Sequence, residues 1–349
     1  MEKTWRPQNN PAQATVELLQ EEVSLDYRTA FILAQRHISS FDEARRFFRP
    51  DIGQLHDPFQ MKDMDRAVDR LSEALHKKEK ILVYGDYDVD GTTAVTVVFS
   101  FLRQLNADCQ YYIPDRYTEG YGFSLRGVDF AKEHGCSLII TLDCGVRDGE
   151  KIDYAASLGI DVIVCDHHTP AELPNAIAVL DPKRIDCAYP FKGLSGAGVG
   201  FKLLQALCVQ QSIDENLLFQ YLDLVTISIG ADIVPLTGEN RILAHYGLQL
   251  LQQTQRPGIK AMLTKAGFKK PAITITDVVF IIAPRVNAAG RMDDAKKAVS
   301  LFIEKDKERA NELALLLQTD NTNRREADAS ITEQAIAMLE ADHTLHEKK

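Results

Sequence analysis

The sequence predicts an α/β fold: a mainly parallel five-stranded sheet flanked by helices, a helical N-terminal segment, a helical second half and a long C-terminal connecting helix. Three observations carry that expectation. Short apolar runs alternate with helix-spaced stretches between 81 and 181, and such alternation implies parallel strands joined by right-handed crossovers. Apolar residues at helical spacing dominate both flanks. Three of the apolar runs end in metal-type ligands, and open parallel sheets bind ligands at the carboxyl ends of their strands.

Residues 1 to 12 read as a loose polar tail with two prolines and no apolar stretch of signal-peptide type. Segments 25 to 37, 41 to 48 and 63 to 79 have helical apolar spacing. Strands are expected near 80 to 86, 109 to 114, 137 to 143, 161 to 166 and 177 to 180, with helices near 91 to 105, 124 to 134 and 147 to 158. Gly135 and Gly159 are stop signals for the second and third of these helices. The pattern from 199 to 265 is helical, and 306 to 342 reads as one long charged helix, interrupted by polar Thr319 to Asn323. The expected organisation is 1–60 as tail and helices, 61–300 as catalytic domain and 301–349 as connecting helix.

At 349 residues, 45% hydrophobic and 26% charged, the chain has the composition of a soluble globular protein larger than one typical domain. No apolar run approaches a membrane span. Six scattered cysteines without Cys-x-x-Cys spacing suggest reduced core thiols in a cytoplasmic protein, not a zinc or disulfide framework. The net charge of -10 argues against broad non-specific nucleic-acid binding but leaves room for a local basic groove.

The chemistry lies in the strand ends. Asp86, Asp88 and Asp90 alternate after an apolar run and before Gly91, so extended geometry crowds their carboxylates together. Asp143 ends a second run, and Asp166-His167-His168 ends a third. Crowded carboxylates with histidine suit Mn2+ or Mg2+, and more than one ion's worth of ligands suits a two-metal phosphoryl displacement. Asp232 follows an apolar helix and by itself reads as a cap or a solvated loop residue rather than as a ligand. The segment around Ser195, Gly196 and Gly198 runs into a helix near Val199, whose N-terminal amides can hold a phosphate or simply carry a serine cap. Arg285 and Arg291 flank Asn287 in a small-residue loop before a helix starting near Asp293, and arginine forks match phosphate oxygens. Arg116 is a further phosphate candidate, and Tyr117 and Tyr121 are either base-stacking or packing residues.

These residues resemble a known family. Gly-Asp-Tyr-Asp-Val-Asp-Gly at 85 to 91, Leu-Asp-Cys-Gly at 142 to 145, Asp-His-His at 166 to 168 and Gly-Ala-Asp-Ile-Val-Pro-Leu at 230 to 236 resemble the four motifs of the DHH phosphoesterase superfamily. The segments at 113 to 122, 195 to 202 and 284 to 291 are similar to its RecJ branch of single-strand-specific DNA exonucleases, and the resemblance covers roughly 60 to 330. It implies that Asp86, Asp88 and Asp90 build the first part of the metal site, that Asp143 bridges two ions and that His167 ligates. It implies that His168 ligates or touches phosphate and that Asp232 completes the second ion's shell. Where many members carry a histidine, this chain has Tyr84, which implies a thinner shell for one ion.

The resemblance further implies hydrolysis of single-stranded DNA from the 5′ end, releasing 5′-mononucleotides in repair and recombination, with two Mn2+ or Mg2+ ions. The implied partners are single-stranded DNA, a single-strand-binding protein and a helicase, with no membrane. The alternatives are a sister activity on short oligonucleotides or cyclic dinucleotides, and a non-catalytic replication scaffold; the complete ligand set speaks against the scaffold. RecJ-like proteins carry a DHHA1-type domain after the connecting helix, whereas this sequence ends at Lys349. The expectation is a complete catalytic centre with an incomplete substrate clamp.

Overall fold

The computed structural model describes residues 9–292 and 294–341. They form two compact units, divided between Leu55 and His56. In the first, α1 (Gln13–Val23), α2 (Tyr27–Gln35) and α3 (Phe41–Phe48) enclose a small core of Val16, Leu19, Ala30, Leu33, Ala34, Ile38 and Ala44. Side chains cap two of these helices: Asp26 accepts from the Arg28 and Thr29 amides, and Ser40 from the Glu43 amide. Helix α1 was not among the expected elements, although Val16, Leu19 and Val23 fall on one face.

The second unit opens with α4 (Met64–Lys77) and continues as an alternating α/β core. Its elements are β1 (Ile81–Gly85), α5 (Val89–Gln104), β2 (Cys109–Tyr112), α6 (Leu125–Glu133), β3 (Leu138–Leu142), α7 (Gly149–Ser157), β4 (Asp161–Cys165) and β5 (Ala178–Leu180). Every expected strand is present within two residues at either end. All pairings are parallel, in the order β2-β1-β3-β4-β5. Strands β1 and β3 are wholly buried, which is why they read as unbroken apolar runs rather than as alternation. One face packs Leu82, Tyr84, Ile139, Val162, Val164 and Val179 against α6 and α7 residues such as Val128, Ala131, Ile152 and Ala155. The chain reverses its winding between β1 and β3, and the crevice at such a switch point is the usual ligand site of an open α/β sheet.

The rest is helical: α8 (Gly196–Gln211), α9 (Asn216–Phe219), α10 (Leu222–Ala231), α11 (Gly238–Gln252), α12 (Pro257–Lys265), α13 (Ile275–Asp277), α14 (Ala283–Met292), α15 (Lys296–Ile303) and α16 (Lys307–Ala341). Two expectations need correction. Residues 285 to 291 are not a loop: they lie inside α14, preceded by a π-helical turn at Val278–Ile282. Pro284 cannot donate a helix hydrogen bond; the Arg285 guanidinium donates to the Ile281 carbonyl at 2.6 Å and to Gln318 Oε1 at 2.8 Å, tying the irregular turn to α16. The expected helix start at Asp293 lies outside the described residues. Helix α16 is not interrupted at Thr319 to Asn323; Thr322 donates its hydroxyl to the Gln318 carbonyl within the helix. Among its described residues, Ala310, Leu313, Ala314, Leu317 and Asn321 are buried, all in the first half. No described helix is long and apolar enough to cross a membrane, and all six cysteines are buried and unpaired.

Candidate metal centre

Strand register builds the site. Gly85 pairs with Leu142, Leu142 with Cys165 and Cys165 with Leu180. The next residue of each strand is an aspartate, so Asp86, Asp143, Asp166 and Asp181 form a row along the carboxyl edge of the sheet, all buried. Asp143 has φ 61°, a left-handed backbone that aspartate enters more readily than most residues. Strain of this kind persists where the surroundings fix it and collects at functional sites.

His167 lies at the centre. Its Nε2 is 3.1 Å from Asp143 Oδ1, 3.7 Å from Asp90 Oδ2 and 3.7 Å from Asp232 Oδ2. Two ligand sets follow, Asp143–His167–His168 and Asp90–His167–Asp232, each with its atoms within 4.8 Å of one another. Asp232 ends α10 as its C-cap and is followed by Ile233 at φ 56°, so it faces the cluster rather than serving only as a helix end. Asp88 caps α5 by accepting from the Gly91 amide at 3.0 Å, and Asp86 accepts from the Gly122 amide at 3.4 Å.

Buried polar atoms without a hydrogen bond are rare in folded proteins. Here Asp86 Oδ2, Asp143 Oδ1 and both ring nitrogens of His167 have none. Burial and the neighbouring carboxylates Asp90, Asp88, Asp166 and Asp86 push Asp143 well above the ordinary carboxylate range. Burial first, and Asp88 next, raise Asp86 to about 7; burial and Asp90 raise Asp232 to about 6. Oxygen-rich, mutually repelling, incompletely bonded ligands around one imidazole fit divalent cations.

Asp166 does different work. Its Oδ1 accepts from the His167 and His168 amides and from His168 Nδ1 at 2.7 Å, and its Oδ2 from the Val146 amide at 3.0 Å. Burial works to raise its pKa, but the His168 hydrogen bond and charge and these amides outweigh it and hold it low. The same bond raises His168. Asp166 thereby fixes the His168 ring, a common way of orienting a ligating histidine, and leaves Nε2 facing Tyr121 Oη at 3.1 Å.

The glycine-rich segment needs correction. The anion at the N-terminus of α8 is Asp90, not a phosphate: Asp90 Oδ2 accepts from the Gly196 amide at 2.7 Å and Oδ1 from the Ala197 amide at 2.8 Å. Ser195 is fully buried and caps the Gly198 amide at 3.2 Å. A Cβ on Gly196 would sit 2.6 Å from Asp143 Cβ, so only glycine fits beneath the carboxylates. Lys202, in the same motif, is also buried, donating to the His56 carbonyl and Gln205 and paired with Glu239.

Asn287 Oδ1 accepts from the Val89 amide at 3.2 Å, between Asp88 and Asp90, so this side chain braces the first motif. A Cβ on Gly290 would meet the Tyr87 carbonyl at 2.6 Å, so α14 packs directly on that loop. Arg291 is exposed, with its carbonyl accepting from Tyr117 Oη at 2.5 Å. Arg116 is exposed and lies over the Tyr87 ring at 5.2 Å, and Tyr87 meets Tyr121 edge-on at 6.2 Å. Arg116, Tyr87, Tyr117 and Tyr121 thus form a cationic, aromatic rim. Tyr84, in contrast, points into the core, donating to the Gly122 carbonyl at 2.8 Å and packing on Phe123.

A model described as the DHH family, N-terminal domain matches residues 80–229. A crystal structure of exonuclease RecJ bound to manganese superposes with TM-score 0.74 at 31% identity, over 82% of this chain and 72% of that one. The chain belongs to the DHH family, in its RecJ branch. The single-stranded-DNA-specific exonuclease RecJ of Bacillus subtilis is 40% identical over 96% of this chain and 42% of its own length. RecJ of Thermus thermophilus in complex with Mn2+ gives TM-score 0.81 at 28% identity, covering 95% of this chain and 47% of that one. The chain spans about half the length of the curated relatives it matches.

For a DHH-family site, three residues escape a reading of the sequence. Asp181 completes the aspartate row; burial and then Asp166 raise its pKa to about 6, and its Oδ2 is buried without a hydrogen bond. It carries the same signal as the other three, a carboxylate directly after an apolar run, but the run is only three residues long. Ser228, inside the apolar α10, and Tyr87, between two aspartates, carry no signal that separates them from packing residues.

Proposed function

We propose that this chain is the catalytic part of a metal-dependent phosphodiesterase of RecJ type, which degrades single-stranded DNA from its 5′ end and releases 5′-mononucleotides. The observation that carries the reading is the pair of ligand sets sharing His167 at the switch point of the sheet. Asp90, His167 and Asp232 would hold one divalent cation; Asp143, His167 and His168, with Asp86 and Asp88 beside them, would hold a second. Two Mn2+ or Mg2+ ions held there would supply an activated water nucleophile at neutral pH and neutralise charge on the attacking and leaving oxygens of an in-line displacement at phosphorus. The chain's own residues bind and orient. Asp166 holds Nδ1 of His168, which fixes the ring and leaves Nε2 as the atom to serve the second ion. Arg116 supplies charge for the strand's phosphates, and Tyr87 and Tyr121 offer ring faces and edges for unstacked bases. In the displacement, a water oxygen would bond to phosphorus as the P–O3′ bond breaks, and the 3′-oxygen would leave with the proton that the water gives up.

A single-strand enzyme needs its strands exposed, so a helicase and a single-strand-binding protein in the cytoplasm are the fitting partners. The deciding assay is Mn2+-dependent digestion of end-blocked single strands. Strands blocked at the 3′ end should be degraded and strands blocked at the 5′ end spared. Equal digestion of both would remove the assigned polarity. Activity confined to oligonucleotides of a few residues would point to the short-substrate sister activity instead.

A further inference from the structure

We propose that Ser228, carried on α10, is a positioning residue that, with Ser195, forces Asp90 to ligate through one oxygen only. The inference rests on the metal reading above and concerns how one ligand is held.

Asp90 is 1% exposed and sits where three elements meet: α5, which carries it, the N-terminus of α8 and the middle of α10. A carboxylate has about four lone-pair sites, two on each oxygen. Oδ1 accepts from the Ala197 amide at 2.8 Å and from Ser228 Oγ at 2.7 Å, so both of its sites are filled. Oδ2 accepts only from the Gly196 amide at 2.7 Å, and Oδ2 is the atom 3.7 Å from His167 Nε2. The remaining free site on Asp90 is therefore on the oxygen that faces the cluster.

The Ser228 hydroxyl donates to Asp90 Oδ1. Ser228 Oγ also lies 2.5 Å from Ser195 Oγ. The same hydroxyl has donor geometry toward Ser195 Oγ, so Asp90 Oδ1 and Ser195 Oγ share its one proton. Ser195 Oγ in turn accepts from the Gly198 amide at 3.2 Å. Asp90 Oδ1, Ser228 Oγ, Ser195 Oγ and the Gly198 amide thus form one connected chain that begins at the positive end of the α8 dipole. Each donor is buried, so none exchanges its partner for water without penalty. Ser228 and Ser195 are both fully buried; the Ser228 carbonyl also accepts from the Asp232 amide at 3.0 Å, a backbone bond that a side-chain substitution leaves in place.

Without the Ser228 hydroxyl, Oδ1 regains a free lone pair in a dry site. The carboxylate is then held by two amides alone, one on each oxygen, and can turn both oxygens toward the cation. Ligand-orienting partners of this kind typically change metal affinity or activity by about 10–100-fold. The effect should fall on the ion held by Asp90, His167 and Asp232, and spare the one held by Asp143, His167 and His168.

The test is a Mn2+ titration of the full chain, followed by calorimetry and by the electron paramagnetic resonance signal of free Mn2+. Wild type is compared with Ser228→Ala and Ser228→Thr, and the thermal midpoint of each chelated protein is measured alongside. Ser228→Ala should weaken one of two binding steps by about 10–100-fold, with the other step and the chelated midpoint near wild type. Ser228→Thr, which keeps the hydroxyl, should restore the step. In turnover, kcat should fall while KM holds. Wild-type affinity at both steps in Ser228→Ala overturns the proposal. So does equal weakening of both steps with a lowered midpoint in Ser228→Ala and Ser228→Thr alike, which is the pattern of general core damage. A wild-type chain that binds no Mn2+ would instead overturn the metal reading itself.

Discussion

The floor and the rim of the site are built on opposite principles. The floor consists of Asp86, Asp90, Asp143, Asp166 and His167, all buried. It is over-determined: strand register aligns three of its aspartates, the α8 amides hold Asp90, and Gly196 packs beneath Asp143. The rim consists of Arg116, Tyr87, Tyr117 and Tyr121, with Arg291 beside Tyr117; apart from half-buried Tyr87 these are exposed, and they are carried on loops and a helix end. A floor of this kind tolerates no movement and suits metal ligation. A rim of this kind can adapt to a strand whose bases vary. Charge at the floor is thus a burden until a cation arrives, whereas charge at the rim stays solvated and, under the proposed function, would steer substrate.

The largest expected effect comes from removing floor charge. Asp143→Asn keeps a residue type that tolerates the left-handed backbone and deletes a fully buried carboxylate repelled by Asp90, Asp88, Asp166 and Asp86. Turnover should be abolished and Mn2+ binding lost or greatly weakened. The chelated protein, however, should become more stable by about 1–3 kcal/mol, because a poorly solvated charge has gone. A chelated Asp143→Asn protein that melts below wild type would mean that the floor is not under electrostatic strain.

The pH dependence follows from the same burden. Folded Asp86 and Asp232 titrate near about 7 and about 6, above the usual value of 3.8 for an unfolded aspartate. Between about pH 4 and pH 7 the folded, chelated protein therefore holds more protons than the unfolded chain, and its stability falls as pH rises through that window. Mn2+ reverses the trend, because it binds the deprotonated ligands and stabilises by mass action. The gap in thermal midpoint between Mn2+-loaded and chelated protein should widen from pH 5 to pH 8; a constant gap would mean that the floor carries its charge as easily as the rim does.

Smaller effects separate rim from frame. Arg116→Ala should weaken single-strand binding and flatten its log–log salt dependence by about 0.7 for each phosphate that is no longer neutralised, with metal content and midpoint unchanged. Arg285→Ala should do the reverse. Its guanidinium bridges the π-helical turn and α16, so a loss of about 1–3 kcal/mol in stability is expected, with the salt slope intact. Swapped outcomes would place Arg285 on the substrate path.

Much of the floor is legible in the sequence. Buried parallel strands announce themselves as apolar runs, and a carboxylate at the end of such a run has few structural excuses. Asp86, Asp88, Asp90, Asp143, His167 and Asp232 are therefore all readable from the residues alone or from the motifs they form. Partnership is not legible. The Ser195–Gly198 segment looks like a phosphate cradle because an exposed helix N-terminus and one that receives a buried aspartate from 106 residues upstream have the same local sequence. Arg285 and Asn287 look like substrate ligands because nothing local shows that Ile281, Gln318 and Val89 already engage them. Ser228 is invisible, since one serine in an apolar helix has meaning only once Asp90 is placed against it.

If a single histidine organises both ligand sets, its removal must cost both ions. Equilibrium dialysis of the full chain against Mn2+, for wild type and His167→Ala, measures this without reference to turnover. Two ions per wild-type chain, with both lost or bound far more weakly in a folded His167→Ala protein, is the predicted result. Two ions retained at wild-type affinity in His167→Ala would contradict it.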